Sequence, residues 1–173
     1  MITIDNFILT KSIGQGGYGD VFLSHKKGSN QVFATKRIKK NNDEELKKYL
    51  MNEITILKRL NHPNIIHLED VKQTNSHYYI MTEYCNGGGL LDCLENYISR
   101  YGKPFSEQIV QYIMRQLVDA IKYIHNRRII HRDLKLDNIL INYSNEADKA
   151  SLNLMNAQFK IIDFGFAIYL DNN

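Results

Sequence analysis

Tryptophan is absent from the 173 residues, and cysteine and proline occur only twice each. Cys85 and Cys93 are too few for the disulfide framework of a small secreted scaffold. A reducing, cytoplasmic setting is therefore the expectation. With Pro63 and Pro104 alone, no proline-rich linker is present. No apolar run approaches the ~18 residues that a membrane span needs. Met1 to Asn6 lack a basic stretch leading into an apolar one, so neither a span nor a signal peptide is expected. The net charge of +3 is too weak to point to nucleic acid or to an anionic membrane surface. Lys26-Lys27 and the cluster from Lys36 to Lys40 read as solvated faces. No internal repeat is visible. What remains is an ordinary globular balance, 43% hydrophobic and 24% charged, enough to bury the core of one domain or two small lobes.

The first forty residues read as strands: Phe7-Ile8-Leu9, then Val21-Phe22-Leu23 after a glycine cluster, then Val32 to Thr35 after a turn at Gly28-Ser29-Asn30. From Asp43 the period changes. Leu46, Leu50, Ile54, Leu57 and Leu60 fall at steps of four, four, three and three, one face of a helix that Asn61-His62-Pro63 ends. Asp43, Glu44 and Glu45 suit its first turn, where the helix dipole favours anions. Ile65 to Leu68 and Tyr78 to Met81 read as two more strands. Gly87-Gly88-Gly89 reads as a flexible break, and a lobe boundary falls just before it, with 1–84 as one lobe and 85–173 as the other. Leu90 to Tyr101 reads as a short helix closed by Gly102. Ser106 is placed to cap a long helix with Ile109, Ile113, Leu117, Ile121 and Ile124 on one face. Asn142 to Gln158 is polar and reads as an extended surface loop.

Several of these positions carry chemistry. Gly14, Gly16 and Gly19 with Val21 fit G-x-G-x-x-G-x-V, in which bare backbone N–H groups can fold closely over phosphates. The pattern also fits a dinucleotide-binding turn, but that turn leads into a helix, whereas Val21-Phe22-Leu23 continues as a strand. Lys36 follows Ala34-Thr35 on the third strand, seventeen residues past Gly19. A buried ammonium needs a counter-ion, and Glu53 on the helix can supply it. His131-Arg132-Asp133-Leu134-Lys135-Leu136-Asp137-Asn138 fills every fixed position of H-R-D-L-x-x-x-N. Asp163-Phe164-Gly165 follows twenty-five residues after Asn138.

On these motifs, taken in order, the chain resembles the eukaryotic protein kinases from Phe7 to its last residue. The resemblance implies an α+β, two-lobed protein-kinase-like fold, with an antiparallel sheet plus one helix in the small lobe and a partial helical large lobe. It implies ATP in the cleft, with Ile13, Val21, Ala34 and Leu140 around the adenine and the backbones of Glu83 and Cys85 bonding it. Thr82 would sit behind. Gly14, Gly16, Gly19, Lys36 and Glu53 would serve the phosphates. Asp163 and Asn138 would hold Mg²⁺, and Asp133 would orient the substrate hydroxyl and accept its proton. Lys135 resembles the lysine of Ser/Thr kinases, so a protein Ser/Thr substrate is implied. Arg132 beside Asp133 resembles kinases whose arginine pairs an activating phosphate. Leu57, Leu68, His131 and Phe164 would stack into a column joining the lobes. Glu83 to Gly88, Asp163 to Ala167 and the long polar loop resemble the ULK (autophagy-initiating) branch, with departures at Gly89 and Ile168.

The last residue lies eight positions past Gly165. A kinase domain would continue through an activation segment and further helices. The expectation is a C-terminally truncated domain whose long helix exposes apolar surface. A truncated, non-catalytic nucleotide-binding or regulatory fragment is then the alternative to an active ATP- and Mg²⁺-dependent kinase.

Overall fold

β-Branched and aromatic residues at alternate positions favour a sheet with two unlike faces, and the computed structural model has one at its N-terminal end. The structure describes residues 2–16 and 19–170. Gly17 and Tyr18, within the glycine motif, lie outside the described residues. The sheet comprises β1 (Ile2–Ile4), β2 (Phe7–Gly16), β3 (Gly19–Lys26), β4 (Val32–Lys39), β5 (Leu68–Gln73) and β6 (His77–Glu83), in the spatial order β1-β2-β3-β4-β6-β5. All five pairings are antiparallel.

Register assigns the faces. Thr35 pairs with Met81 and Lys36 with Ile80. Phe33 and Met81 therefore share one face, where they bury with Phe7, Leu9 and Tyr79. Ala34, Lys36, Ile38, Ile80 and Thr82 share the other. There Ile38 and Ile80 pack on Tyr49, Leu50 and Ile54 of helix α1 (Glu44–Leu57). Asp43 caps α1, its carboxylate accepting from the N–H groups of Glu45 and Leu46 at 3.0 Å each.

The remaining elements pack around a second core. Helix α2 (Leu90–Tyr101) ends on Gly102, whose φ of 67° is the left-handed conformation that glycine adopts most readily. Helix α3 (Glu107–His125) starts on Ser106, which accepts from Ile109 N–H. It buries Ile113, Leu117, Ala120 and Ile124, while Ile109 and Ile121 are half-buried. Then come β7 (Ile129–Ile130), a 3-10 turn (Leu136–Asn138), β8 (Ile139–Tyr143), α4 (Glu146–Ser151), β9 (Ala157–Ile161) and β10 (Ile168–Tyr169). β8 pairs with β9, and β7 with β10, both antiparallel.

Several expectations are corrected. Ile65 and Ile66 are not in the sheet: Ile65 bridges Ile161 in parallel, and Ile66 N–H donates to Ile161 O. Both are buried beside β9, so the sheet strand begins only at Leu68. α1 ends at Leu57, before the Asn61-His62-Pro63 stop, and Leu60 is buried from an irregular turn beyond it. Ile2–Ile4 forms an edge strand that its short length concealed. The 142–158 stretch is structured, not an extended loop. β8 runs to Tyr143, α4 follows, and Asp148 accepts from the side-chain amides of Asn145, Asn153 and Asn156. Gly87 to Gly89 is a docked turn, not a free break. Gly87 N–H donates to Ile141 O at 2.8 Å, Ile141 N–H returns to Gly88 O at 2.9 Å, and a Cβ on Gly87 would meet the Ile141 carbonyl at 2.7 Å.

Candidate active site

The face of the sheet that carries Ala34, Lys36, Ile80 and Thr82 also walls a cavity of about 680 Å³, closed by α1, by the 82–89 connection and by β8. Apolar side chains of Ile13, Val21, Ala34 and Leu140 line it together with Gly14, Glu83 and Cys85. Leu140 arrives there because the bonds between Gly87, Gly88 and Ile141 dock β8 against the connection. Lys36, Glu53 and Asp163 line the same cavity. Ten of the twelve residues expected around a nucleotide thus meet in one place. Gly16 and Gly19 pair with each other at the end of the β2-β3 hairpin. A Cβ on Gly19 would run into the carbonyl of Arg37, so close approach of two backbones requires glycine there.

Glu53 is only 8% exposed. Burial pushes its carboxyl above the ordinary carboxylate range, the nearby Lys36 cation pulls it down, and the Asp163 charge pushes it up again. Glu83 is fixed by its side chain: one oxygen accepts from His67 N–H at 2.8 Å and the other pairs with the buried Lys160 ammonium at 2.8 Å. Burial raises the Cys85 thiol to about 12, so it is present as a neutral thiol.

Asp133, Lys135 and Asn138 lie outside the cavity lining but are tied to the strand that delivers Asp163. Asn138 O accepts from Ile162 N–H at 3.0 Å. The Asn138 side-chain amide donates to the Asp133 carbonyl at 2.8 Å and to Asp133 Oδ2 at 2.9 Å. Lys135 Nζ reaches the same Oδ2 at 3.1 Å. The Lys135 bond, followed by that of Asn138, holds the Asp133 carboxyl below its ordinary value, and Asp133 raises Lys135 in turn. His131 is buried; its Nδ1 accepts from Asp133 N–H at 3.2 Å and its Nε2 faces Ile162 O at 2.9 Å. These partners fix the neutral tautomer with the proton on Nε2. The His131 ring meets Phe164 edge-on at 4.7 Å. Leu57 is buried and Leu68 half-buried in the core that holds Phe164, and His131 meets that core through the Phe164 ring. Arg132 has a φ of 67° and its Nε donates to Phe166 O at 2.6 Å.

Sequence reasoning missed Tyr49, Asn52 and Lys160. Tyr49 donates to Asp163 Oδ1, and Asn52 to the carbonyls of Gly165 and Ala167. In sequence they are helix residues without a motif, and Lys160 is one more lysine. Only their three-dimensional partners distinguish them.

Among the described residues, no group of three or more His, Cys, Asp or Glu could hold a metal by itself. The Asp163 carboxylate and Asn138 amide oxygen are hard oxygen donors. They suit an ion such as Mg²⁺ that shares its shell with phosphates and water. No helix among the described residues is long and apolar enough to cross a membrane.

Residues 7–173 match the protein kinase domain family. The chain is 40% identical over 140 residues to the probable serine/threonine-protein kinase nek1 of Dictyostelium discoideum, covering 81% of this chain and 28% of that protein. It is 34% identical over 171 residues to the serine/threonine-protein kinase ULK3 of Xenopus laevis, covering 98% of this chain and 33% of that protein. With the serine/threonine-protein kinase ULK1 of Homo sapiens it shares 38% over 162 residues, covering 93% and 15%. The chain thus spans a third or less of the length of these relatives.

Proposed function

The chain belongs to the protein kinase domain family, and from this premise we propose that it binds ATP with Mg²⁺ and serves transfer of the γ-phosphate to Ser or Thr hydroxyls of a protein substrate. The observation that carries the proposal is the convergence of Lys36, Glu53 and Asp163 on one cavity that the apolar side chains of Ile13, Val21, Ala34 and Leu140 also line. A purine fits between Ile13, Val21, Ala34 and Leu140, with the backbones of Glu83 and Cys85 as its polar partners. The small lobe ends, on this reading, at the Glu83 to Cys85 connection. Lys36, steadied by the buried Glu53, holds the α- and β-phosphates, and the glycine hairpin through Gly14, Gly16 and Gly19 covers them. Asp163 and Asn138 hold the metal. When bound, Mg²⁺ neutralises charge on the β- and γ-phosphates.

Asp133 aims the substrate hydroxyl and takes its proton. Its carboxyl is held ionised by Lys135 and Asn138, so it is an acceptor at neutral pH. Lys135, paired with Asp133 Oδ2, resembles the lysine of Ser/Thr kinases, and this resemblance supports a Ser/Thr hydroxyl as acceptor. Positioning and charge neutralisation supply most of the rate in this chemistry. A reduced, cytoplasmic location is proposed with it, since Cys85 and Cys93 are both free and buried.

The test is transfer of radiolabelled γ-phosphate to a mixed Ser/Thr peptide library, compared between the chain and its Asp133→Asn variant. Incorporation on Ser or Thr that falls by ~100-fold or more in the variant is the expected result. Label on tyrosine alone, or equal labelling by the variant, would remove the Ser/Thr kinase reading.

A further inference from the structure

Two side chains of α1, three residues apart, reach across to the segment that follows β9. The Tyr49 hydroxyl donates to Asp163 Oδ1. The Tyr49 ring packs edge-on against Phe166, centroids 5.0 Å apart, and occupies the space that a Cβ on Gly165 would need. Asn52 Nδ2 donates to Ala167 O at 2.7 Å and Gly165 O at 2.9 Å, with Phe164 O at 3.4 Å as a weaker third acceptor. Between them they engage Asp163 and all four residues that follow it.

Asp163 needs such support. Its φ is 65°, in the left-handed region that non-glycine residues enter at a cost. Gly165 N–H adds a second, longer bond to the same Oδ1 at 3.4 Å. With Oδ1 held on the α1 side, the carboxylate has one preferred orientation. A phenylalanine at position 49 would fill the same space against Phe166 and Gly165. What the hydroxyl adds is the bond to Asp163.

We propose that Tyr49 and Asn52 are positioning residues that hold Asp163 oriented for its metal. The inference rests on the reading of Asp163 as a Mg²⁺ ligand.

The test uses the purified chain with Tyr49→Phe and Asn52→Ala, and two measurements. Hydrogen exchange of the 163–167 amides is followed without ligand, and ATP binding is titrated in excess EDTA and across MgCl₂ concentrations. In both variants the 163–167 amides are expected to exchange faster while β4 and β6 stay protected. The Mg²⁺ concentration for half-maximal tightening of ATP is expected to rise about tenfold, the usual consequence of removing an outer-shell partner of a metal ligand. ATP affinity in EDTA should not change. Unchanged exchange and an unchanged Mg²⁺ requirement would overturn the proposal. So would a lower Mg²⁺ requirement in Tyr49→Phe, which would make Tyr49 a competitor of the metal. If the parent chain binds no ATP, the nucleotide reading fails separately, and exchange at 163–167 alone decides whether the two residues position the segment. If one variant does not fold, the other carries the test.

Discussion

His131 illustrates how much one side chain can hold. Its ring is buried against Phe164, and both ring nitrogens are committed, one to the Asp133 N–H and one to the Ile162 carbonyl. Burial lowers its pKa below the ordinary value of about 6.5, more than the Ile162 carbonyl and the Asp163 and Asp133 charges restore it. The sign of the consequence follows. Between the folded and unfolded values the unfolded chain binds more protons than the folded one. The contribution is complete above about pH 6.5 and is lost as pH falls through the lower folded value. Urea unfolding between pH 7.5 and 5 should show falling stability, with a shallower slope in His131→Gln; the same slope in both proteins would contradict this. Glu53 runs the other way, because burial raises an acid. The motif residues were legible in sequence, since glycine spacing, H-R-D-L-x-x-x-N and D-F-G need no fold to be read. Tyr49 and Asn52 were not, because their roles depend on which face of α1 meets residues 163–167, a distance of more than a hundred positions along the chain.

At the scale of elements, α1 is the member on which the site depends. It presents Glu53 to the cavity and Tyr49 and Asn52 to the segment after β9, and its start is fixed by Asp43. Asp43→Ala leaves two N–H groups of the first turn without their side-chain acceptor. It should cost about 1 kcal/mol of stability, seen as a lower melting temperature. Asp43→Asn, which keeps an acceptor oxygen, should recover most of it; equal loss in both would show that charge near the helix dipole is the source. Helices α1, α2 and α3 could be read from periodicity and caps because those signals are local. The strand at Ile65 to Leu68 could not be placed, because an apolar run does not specify its partner. Ile65 pairs with Ile161 of β9 and not with the sheet. The polar 142–158 stretch concealed α4, whose order comes from Asp148 gathering three asparagine amides rather than from an apolar face.

The whole molecule holds a sheet core, a second core under α2 and α3, and the cavity between the two. One face of α3 stays open: Val110, Met114 and Val118, four residues apart, are 44, 48 and 40% exposed. Apolar stripes of this kind promote association. Sedimentation velocity should show concentration-dependent self-association, reduced in a Val110→Glu, Met114→Lys, Val118→Glu variant whose cavity is untouched. A parent chain that stays monomeric across the concentration range would refute this. The overall α+β arrangement was legible because strand signals cluster before Asp43 and helix signals after Leu90. The joining of the two parts was not, because it rests on backbone contacts such as those of Gly87 with Ile141.

The central claim is that Lys36, Glu53 and Asp163 form one Mg²⁺–ATP site, and isothermal calorimetry addresses it most directly. ATP titrated into the chain with Mg²⁺ should bind saturably, and Lys36→Met and Asp163→Ala should each weaken it by at least ~10-fold. Asp163→Ala should abolish the Mg²⁺ dependence. Absence of binding by a folded parent chain, or equal affinity in all three proteins, would contradict the account.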